Sequence, residues 1–524
     1  MKTIATTLFL LTQIYAYSQS FRLDSTFNNS GIVMVDFELG FDALAKTIIK
    51  PDGKIVGVGR ATDRVCLIRL NEGGTFDESF GSGGKIIIDI PGFWEYATDV
   101  EFQNDGKLLI AGHIHKEWTP LGAADKVLLI RLNFDGGYDN SFGNNGIVIT
   151  DFPNTVEGEP RVEILPDMSF IVLCRIGLPV SAPEFGLIKY LPSGAIDTTF
   201  GTQGLVMTDV SEFNDSPQEL LIQPDGKILA AGTLIDGFPE DYELVRYLPN
   251  GNLDEDFGEN GIVITDLADG ESTSNLALLP DGKIVLGGTA NWDLTILRYH
   301  PDGKLDSDFG INGVVVSEIT NKQRGGNITL VGQNIFQTAT LEALDNHNKH
   351  IILGFSSDGA VNTFFAEEGV LNFDNPGYFY ESGIEPALFQ NDGKMIIGAY
   401  ATDSIPQAII NGNTIYYSPD IFLIRFTNDT ISTSSAETIL NGFEPKVFPN
   451  PTSGKLFFDE QCNPILDCIE TIEICTMNGI QIYSKKIAPN EATIYLPDQL
   501  VNGIYILKMV SSSGLFSRKI HIQR

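Results

Sequence analysis

Leu253-Asp254-Glu255-Asp256-Phe257-Gly258-Glu259-Asn260-Gly261, running on into Ile262-Val263-Ile264-Thr265-Asp266, decides the fold, because the chain writes variants of it seven times. The phenylalanines fall at Phe27, Phe80, Phe142, Phe200, Phe257, Phe309 and Phe365, with gaps of 53, 62, 58, 57, 52 and 56 residues. Self-similarity at that period means one supersecondary unit copied around a ring or along a solenoid. It fixes architecture and leaves chemistry open.

Each period holds four short β-type runs and no helical pattern. In the second they are Lys85–Ile90, Asp99–Gln103, Lys107–Ala111 and Val127–Leu132, where Val, Ile and Leu alternate with polar residues. Two of the runs are joined by a turn with Asp-Gly at its centre. It recurs as Pro51-Asp52-Gly53-Lys54, Asn104-Asp105-Gly106-Lys107, Pro224-Asp225-Gly226-Lys227, Pro280-Asp281-Gly282-Lys283 and Asn391-Asp392-Gly393-Lys394. Gly supplies the positive φ such a hairpin demands, and Asp bonds its own backbone. The third copy has drifted to Pro166-Asp167-Met168-Ser169, and the sixth has lost the motif near Gly332-Gln333-Asn334.

Four antiparallel strands, seven times, predict an all-β, seven-bladed β-propeller. A straight solenoid would need distinct capping repeats, whereas these ends are complementary. The chain opens on the last strand of a unit (Gly31–Phe37) and ends the repeats with the first three (Pro386–Gln390, Lys394–Gly398, Phe422–Phe426). A paired position supports closure. A base precedes the motif Asp by eight residues in Arg69 and Asp77, Arg131 and Asp139, Lys189 and Asp197, Arg246 and Asp254, and Arg298 and Asp306. The sixth unit changes both together, to Gly354 and Asn362. The spacing predicts a charge-assisted contact within each blade. Arg425 lacks its downstream acid and Asp24 its upstream base, so the two are expected to pair across the seam.

The 524 residues are 43% hydrophobic, which suits a folded chain, and the formal charge of −34 argues against a nucleic-acid partner. From Pro445 to Arg524 eight basic residues meet seven acids, so the tail is near +1 and the remainder near −35. That shift marks a boundary, with Thr427–Glu437 rich in Ser and Thr and residues 428–444 read as a linker. At the other end, Lys2, the apolar run Ile4–Ile14 and Ala16-Tyr17-Ser18 read as a secretory signal over residues 1–18. The repeats then occupy 19–427. No stretch predicts a transmembrane segment. Of the five cysteines, Cys66 and Cys174 are expected as thiols, while Cys462 and Cys468 are the plausible disulfide in an exported chain. Past the linker, short β runs with Asn-Gly and Ser-Gly turns (Lys455–Phe458, Thr471–Cys475, Ile480–Tyr483, Ala492–Leu496, Gly503–Val510, Phe516–Ile522) predict a small C-terminal β-sandwich over 445–524.

Two family resemblances attach to these residues. Phe76-Asp77-Glu78-Ser79-Phe80-Gly81-Ser82-Gly83-Gly84-Lys85 and Gln223-Pro224-Asp225-Gly226-Lys227-Ile228 resemble the delta-60 repeat of bacterial surface and secreted proteins. That resemblance implies a β-propeller and no enzymatic activity. Phe448-Pro449-Asn450-Pro451-Thr452-Ser453-Gly454, Met477-Asn478-Gly479, Leu500-Val501-Asn502-Gly503-Ile504-Tyr505 and Arg518-Lys519-Ile520 resemble the C-terminal sorting domain of the type IX secretion system of Bacteroidetes. That resemblance implies the type IX machinery as a partner, passage across the outer membrane, and release or attachment at the cell surface.

The chemistry is expected on the face away from the Asp-Gly turns, in the loops where the repeat stops repeating. There the sequence places Trp94, Tyr96, His113, His115, Trp118, Trp292, Tyr378, Phe379 and Tyr380 as candidate ligand-binding residues, with Tyr416 and Tyr417 alongside. Flat aromatic faces bind sugars or protein partners; the same rings would equally well cover the blade tops. His113-x-His115 with Glu117 is half of a transition-metal site or simply polar. Asp36, Asp89, Asp151, Asp209, Asp266, Glu318 and Asp374 end the last strands, either as a ring attractive to Ca²⁺ or as turn caps. Single carboxylates on separate blades lie too far apart to share one ion, so no metal site and no cofactor are assigned. No nucleophile elbow, zinc-protease helix or phosphate loop occurs. The expected function is a noncatalytic exported propeller binding a glycan or protein ligand. The alternatives are a polysaccharide hydrolase and a structural surface or adhesin component.

Overall fold

The computed structural model describes residues 21–37, 41–50, 52–116, 126–151, 156–177, 184–211, 214–235, 240–267, 270–317, 319, 322–342, 349–362, 365–366, 369–373, 380–390, 392–402, 408–410, 413–415 and 420–428 of the first unit. In the second unit it describes 447–448, 455–458, 469–476, 481–486, 493–496, 503–511 and 514–522. The chain divides into these two compact units after Asp429. The signal segment, the linker beyond Asn428, Cys462 and Cys468 lie outside the described residues.

The first unit is a seven-bladed β-propeller. Its first blade runs Asp42–Ile49, Ile55–Ala61, Arg64–Leu70, Lys85–Ile88 from inner to outer strand, each antiparallel to the next. The outer strand thus lies beyond the repeated phrase, so the sequence period is offset from the blade: Lys85–Ile88 closes the first blade, and the second is Phe93–Phe102, Leu108–Lys116, Lys126–Leu132, Ile147–Thr150. Five more sheets follow, with inner strands Val156–Ile164, Asn214–Ile222, Glu271–Leu278, Gln323–Val331 and, in the seventh, Tyr380–Ile384 continued by Leu388–Phe389. In the seventh blade the third strand, Asp420–Asn428, pairs with two N-terminal strands, Phe21–Leu23 and Ile32–Val35, in registers Leu23↔Phe426 and Ile32↔Ile424. The ring is closed by its own N-terminus, whose strands cover the outer edge of Asp420–Asn428.

The Asp-Gly turns set the first hairpin in five of the seven blades. Gln223 N donates to Lys227 O at 2.8 Å, Gly226 N to Gln223 O at 2.8 Å, and Lys227 N to the Asp225 carboxylate at 3.2 Å. Gly226 takes φ +83 there; in the drifted third copy Met168 occupies the same left-handed position at φ +69. The core lies between blades, as one sheet's face packs on the next: Val56, Val58, Val65 and Leu67 of the first blade pack against Val100, Ile110, Leu128 and Ile130 of the second. Each such side chain stabilises the ring by about 1.5–3 kcal/mol of apolar burial. Tyr190, Tyr247 and Tyr299 each reach back to a threonine of the preceding outer strand (Thr150, Thr208, Thr265) at 2.7–2.9 Å.

In the second unit, Val447–Phe448, Lys455–Phe458 and Thr493–Tyr495 form one sheet. Gln481–Lys486, Ile469–Thr476, Gly503–Ser511 and Gly514–Ile522 form another. No helix of the described residues is long and apolar enough to cross a membrane.

Candidate functional site

On the turn face, three repeated phrases converge. Arg246 Nε meets Asp254 Oδ2 at 2.7 Å while Lys227, from the Asp-Gly turn, reaches the same oxygen at 2.9 Å. The guanidinium lies 4.3 Å from the centre of Phe257 and donates to Pro301 O on the following blade. The same knot forms with Arg69 and Asp77 (2.8 Å), Arg131 and Asp139 (2.8 Å) and Arg298 and Asp306 (2.7 Å). In the drifted unit Lys189 and Asp197 meet at 3.2 Å. Across the seam Arg425 Nε lies 2.9 Å from Asp24 Oδ2, over Phe27 at 4.6 Å, and bonds Glu72 O of the first blade at 2.6 Å. The arginine therefore ties its own blade to the next, which sequence spacing alone did not reveal. These are scaffold contacts. A shallow groove of about 670 Å³ lies on this face between the fourth and fifth blades, lined by Gln223, Lys227, Leu279 and Pro301.

The opposite face gathers part of the expected aromatic set. Trp94 stands opposite His115, and Tyr96 opposite His113, on the paired strands Phe93–Phe102 and Leu108–Lys116. The ring centres are 5.4 Å apart for Trp94 and His115 and 5.0 Å for Tyr96 and His113. The row continues across the blade cleft, with Arg60 5.3 Å from Tyr96 and 4.3 Å from Phe41, and Phe41 6.2 Å from Tyr400. Rings and cations of the seventh, first and second blades thus form one array. Phe41, Arg60, Trp94, His113 and Tyr400 are half-buried, whereas Tyr96 and His115 are buried. Here the loop placement expected for Trp94, Tyr96, His113 and His115 is corrected: all four are strand residues, because both strands run on past the alternating core. Trp292 stands apart on the fifth blade, in a turn at φ +67, exposed and covered by Lys322 at 4.6 Å. Trp118, Glu117, Tyr378, Phe379, Tyr416 and Tyr417 lie outside the described residues. Tyr380 is placed by its backbone alone, opposite Thr402.

Sequence reading missed a charged ring on the axis. The inner strands of the first six blades carry a β-bulge, and the residue after it is Lys46, Asp99, Arg161, Glu219, Asn275 or Asn327; in the seventh the bulge falls earlier, between Glu381 and Gly383, and Glu385 takes the matching place, its N–H bonded to Gly398 O. Neighbours stitch the inner strands together: Val162 N donates to Asp99 at 2.8 Å, Arg161 to Gln218 O at 3.1 Å, and Ile328 N to Asn275 at 2.7 Å. Lys46 binds Asp99 at 2.6 Å and Glu101 at 2.9 Å, and also senses Glu219, three blades away. Coupling over that separation requires both to face the axis. Burial would lower the Lys46 pKa, but the carboxylates outweigh it and hold the ammonium charged. Burial pushes Glu163 up to about 8 and Glu385 up to about 7, and raises Glu101 and Glu219. A signal existed: six of the seven ring residues lie six places before the centre of the first hairpin turn, as Glu219 lies before Asp225.

A second recurrent acid sits four residues before six of the seven ring positions, with Gln323 in its place in the sixth blade. Asp42, Glu95, Asp215 and Glu271 are wholly buried and accept the backbone N–H of Phe37, Ile90, Val210 and Leu267 at 2.7–3.0 Å. They cap the crossing from one blade to the next. The donor in each case directly follows the strand-end acid read from sequence (Asp36, Asp89, Asp209, Asp266), and those acids are exposed.

Residues 446–523 match the family model of the secretion system C-terminal sorting domain. The tail is a sorting domain. Residues 50–80, 223–257 and 279–309 match the domain of unknown function (DUF5122) beta-propeller. A propeller with such a sorting domain is exported, to the cell surface or beyond it. No curated protein matches the chain. Among solved structures, the polysaccharide lyase Uly1 is similar at 11% identity and a TM-score of 0.43, over 74% of this chain and 90% of that one. A virginiamycin B lyase from Staphylococcus aureus is similar at 11% and 0.42, over 76% and 98%. A protein of unknown function from Dyadobacter fermentans is similar at 9% and 0.41, over 65% and 100%. These are likenesses of fold and carry nothing about activity.

Proposed function

We propose that the chain is a noncatalytic exported propeller that binds a glycan or protein ligand through the aromatic row of its seventh, first and second blades. The observation behind this reading is the array of Tyr400, Phe41, Arg60, Tyr96, His113, His115 and Trp94, in which successive ring and cation centres lie 4.3–6.2 Å apart. Flat faces stack on sugar rings or on partner side chains, while Arg60 and the histidines add directional donors. Half-burial holds the rings in place, so little side-chain entropy is lost on binding. The chain's formal charge of −34, nearly all of it outside the tail, favours neutral or cationic ligands over polyanions.

The export half of the proposal follows from the tail. The N-terminal signal takes the chain to the periplasm, the type IX machinery recognises the C-terminal β-sandwich, and the propeller is the delivered cargo. Deleting Pro445–Arg524 should leave a folded propeller trapped in the periplasm; equal surface display of truncated and full chains would defeat this. For the ligand, the full chain is screened on a glycan array. Trp94→Ala should lower retention about tenfold or more, as for a central aromatic contact, with an unchanged fold by circular dichroism. Retention unaffected by Trp94→Ala, or release of reducing ends from a bound polysaccharide, would overturn the reading.

A further inference from the structure

On each blade's second strand, one residue stands opposite the second residue of the third strand, and its character changes around the ring. In the fourth, fifth and sixth blades it is Thr233, Thr289 and Thr340, all buried. Thr233 shows the structural use of the place: its hydroxyl accepts Thr273 N of the next blade at 2.9 Å. In the seventh, first, second and third blades the same place holds Tyr400, Arg60, His113 and Arg175, none of them buried. Four consecutive blades thus leave open to solvent a position that the other three spend on packing.

Arg60 is the member held in place. Its backbone is paired with Ala43 on one side and Val65 on the other, and its guanidinium lies over Phe41 at 4.3 Å and near Tyr96 of the second blade at 5.3 Å. Such contacts use the faces of a planar cation and leave its N–H edges. Among the described residues those edges meet no carboxylate and no hydrogen-bond acceptor, and since none is a buried orphan they reach solvent. In this chain that is exceptional. With 68 acids to 34 bases, Arg69, Arg131, Arg246, Arg298 and Arg425 each grip an aspartate, and Arg64, four residues beyond Arg60, reaches Asp89 at 3.3 Å. A fixed cation steadied by rings, with its donor fork unspent, is a receptor for an oxyanion.

Shape and field select the anion. The guanidinium fork matches the two coplanar oxygens of a carboxylate. The formal charge of −34 repels a polyanion, so the acid groups of the ligand must be sparse. The rings beside the fork, Phe41, Tyr96 and Trp94, suit the apolar face of a sugar. We propose that Arg60 is the carboxylate-binding residue of the aromatic row, and that the ligand is a glycan carrying an isolated uronic acid among neutral sugars. This rests on the row being the ligand site and narrows what it takes. Two parallel N–H···O bonds from Arg60 fix the acid sugar beside Phe41 and Tyr96, and its neutral neighbours fall along the remaining rings.

The test is retention of the full chain on an array where each oligosaccharide with one glucuronic or galacturonic acid is printed beside its carboxyl-reduced form and a sulfate monoester of that reduced form. The wild type should hold the uronate form about tenfold or more tightly than the reduced one, as for a charged, bidentate pair. Arg60→Gln should abolish that preference and keep retention of the reduced form. Arg60→Lys should restore only part of it, because an ammonium keeps the charge without the fork. Arg175→Gln removes the same charge from an exposed residue with no ring contact among the described residues, and should leave the preference intact. Its loss there would reveal a general field effect and overturn the assignment to Arg60. Equal wild-type retention of uronate and reduced forms overturns the proposal, as does tighter retention of the sulfate ester or no retention of any uronate form. The row itself is judged on the reduced forms: if Trp94→Ala leaves their retention unchanged, that reading falls whatever Arg60 does.

Discussion

Asp306 has no exposed surface, yet it is held ionised. Burial pulls its pKa up, but Lys283, the Asp308 N–H and Arg298 outweigh that and bring it down to about 2. The partners make sense of why the Asp-Gly-Lys turn and the Asp-x-x-Phe phrase recur together: lysine and arginine from two hairpins share one carboxylate. Where the third copy lost its turn lysine, to Ser169, the arginine became Lys189, so that Asp197 still faces one cation. Asp306→Asn should cost about 3–5 kcal/mol by stranding Arg298, whereas Lys304→Ala, at an exposed turn, should leave the midpoint unchanged. The pH dependence has two arms. The depressed Asp306 contributes stability present above its unfolded value of 3.8 and lost as pH falls toward about 2. Glu385, Glu163 and Glu95 are shifted the other way by burial, to about 7, 8 and 8. Their folded forms hold a proton that the unfolded chain gives up near 4.5, so stability falls as pH rises from there through about 8. Unfolding midpoints from pH 2 to 9 should therefore peak near pH 4–5. A plateau from pH 5 to 8 would show that these carboxyls are not buried as described.

At the scale of the strand, the inner-strand bulge separates what was legible from what was not. Period-two alternation and the Asp-Gly turns located the blades and their hairpins because both signals are local. The bulge, between Ala97 and Asp99 in the second blade, shifts the phase by one residue, so a polar run that alternation assigns to solvent turns onto the axis instead. That hid Asp99, Glu101, Arg161 and Glu219. The sequence picked out the aromatic residues but misplaced four of them in loops, since Trp94 and His115 lie beyond the last apolar alternation. The burial of Glu243, on the third strand of the fourth blade, could not be read either: a lone acid in an alternating strand looks like a solvent-facing residue. The bulge also demands a small residue opposite it. A Cβ on Gly112 would fall 2.1 Å from the Tyr96 carbonyl oxygen, and on Gly288 2.2 Å from that of Ser272. Backbone cannot yield as a side-chain tip can. Gly112→Ala should thus destabilise by roughly 1–3 kcal/mol and, by displacing Tyr96 and His113, weaken ligand retention. Gly73→Ala, which meets nothing within 4 Å, should do neither. Equal behaviour of the two variants in thermal melts would contradict the close approach.

For the whole propeller, closure is the feature on which stability as a ring depends, and it spans the longest sequence separation in the molecule. Asp24 and Arg425 are 401 residues apart in sequence yet in contact at 2.9 Å, with both side chains nearly buried. Ile32–Val35 lies along Ile421–Ile424, and Val33 and Val35 enter the core shared by the seventh and first blades. Removing Phe21–Phe37 would withdraw those side chains, leave Arg425 without its carboxylate, and bare one edge of Asp420–Asn428. Long-range strand pairing also costs loop-closure entropy, so nothing else along the chain can replace it cheaply. The truncated chain should unfold at a lower midpoint and self-associate in size-exclusion chromatography through the exposed edge. A failure to fold would be ambiguous alone, so a circular permutant separates the cases. Phe21 pairs with Asn428, so a short linker can join the two strands while the chain is reopened between Pro91 and Gly92, exposed residues between two blades. The permutant keeps every closure contact and should melt like the parent as a monomer. A truncated chain that also melts like the parent would show that the N-terminal strands do not hold the ring shut.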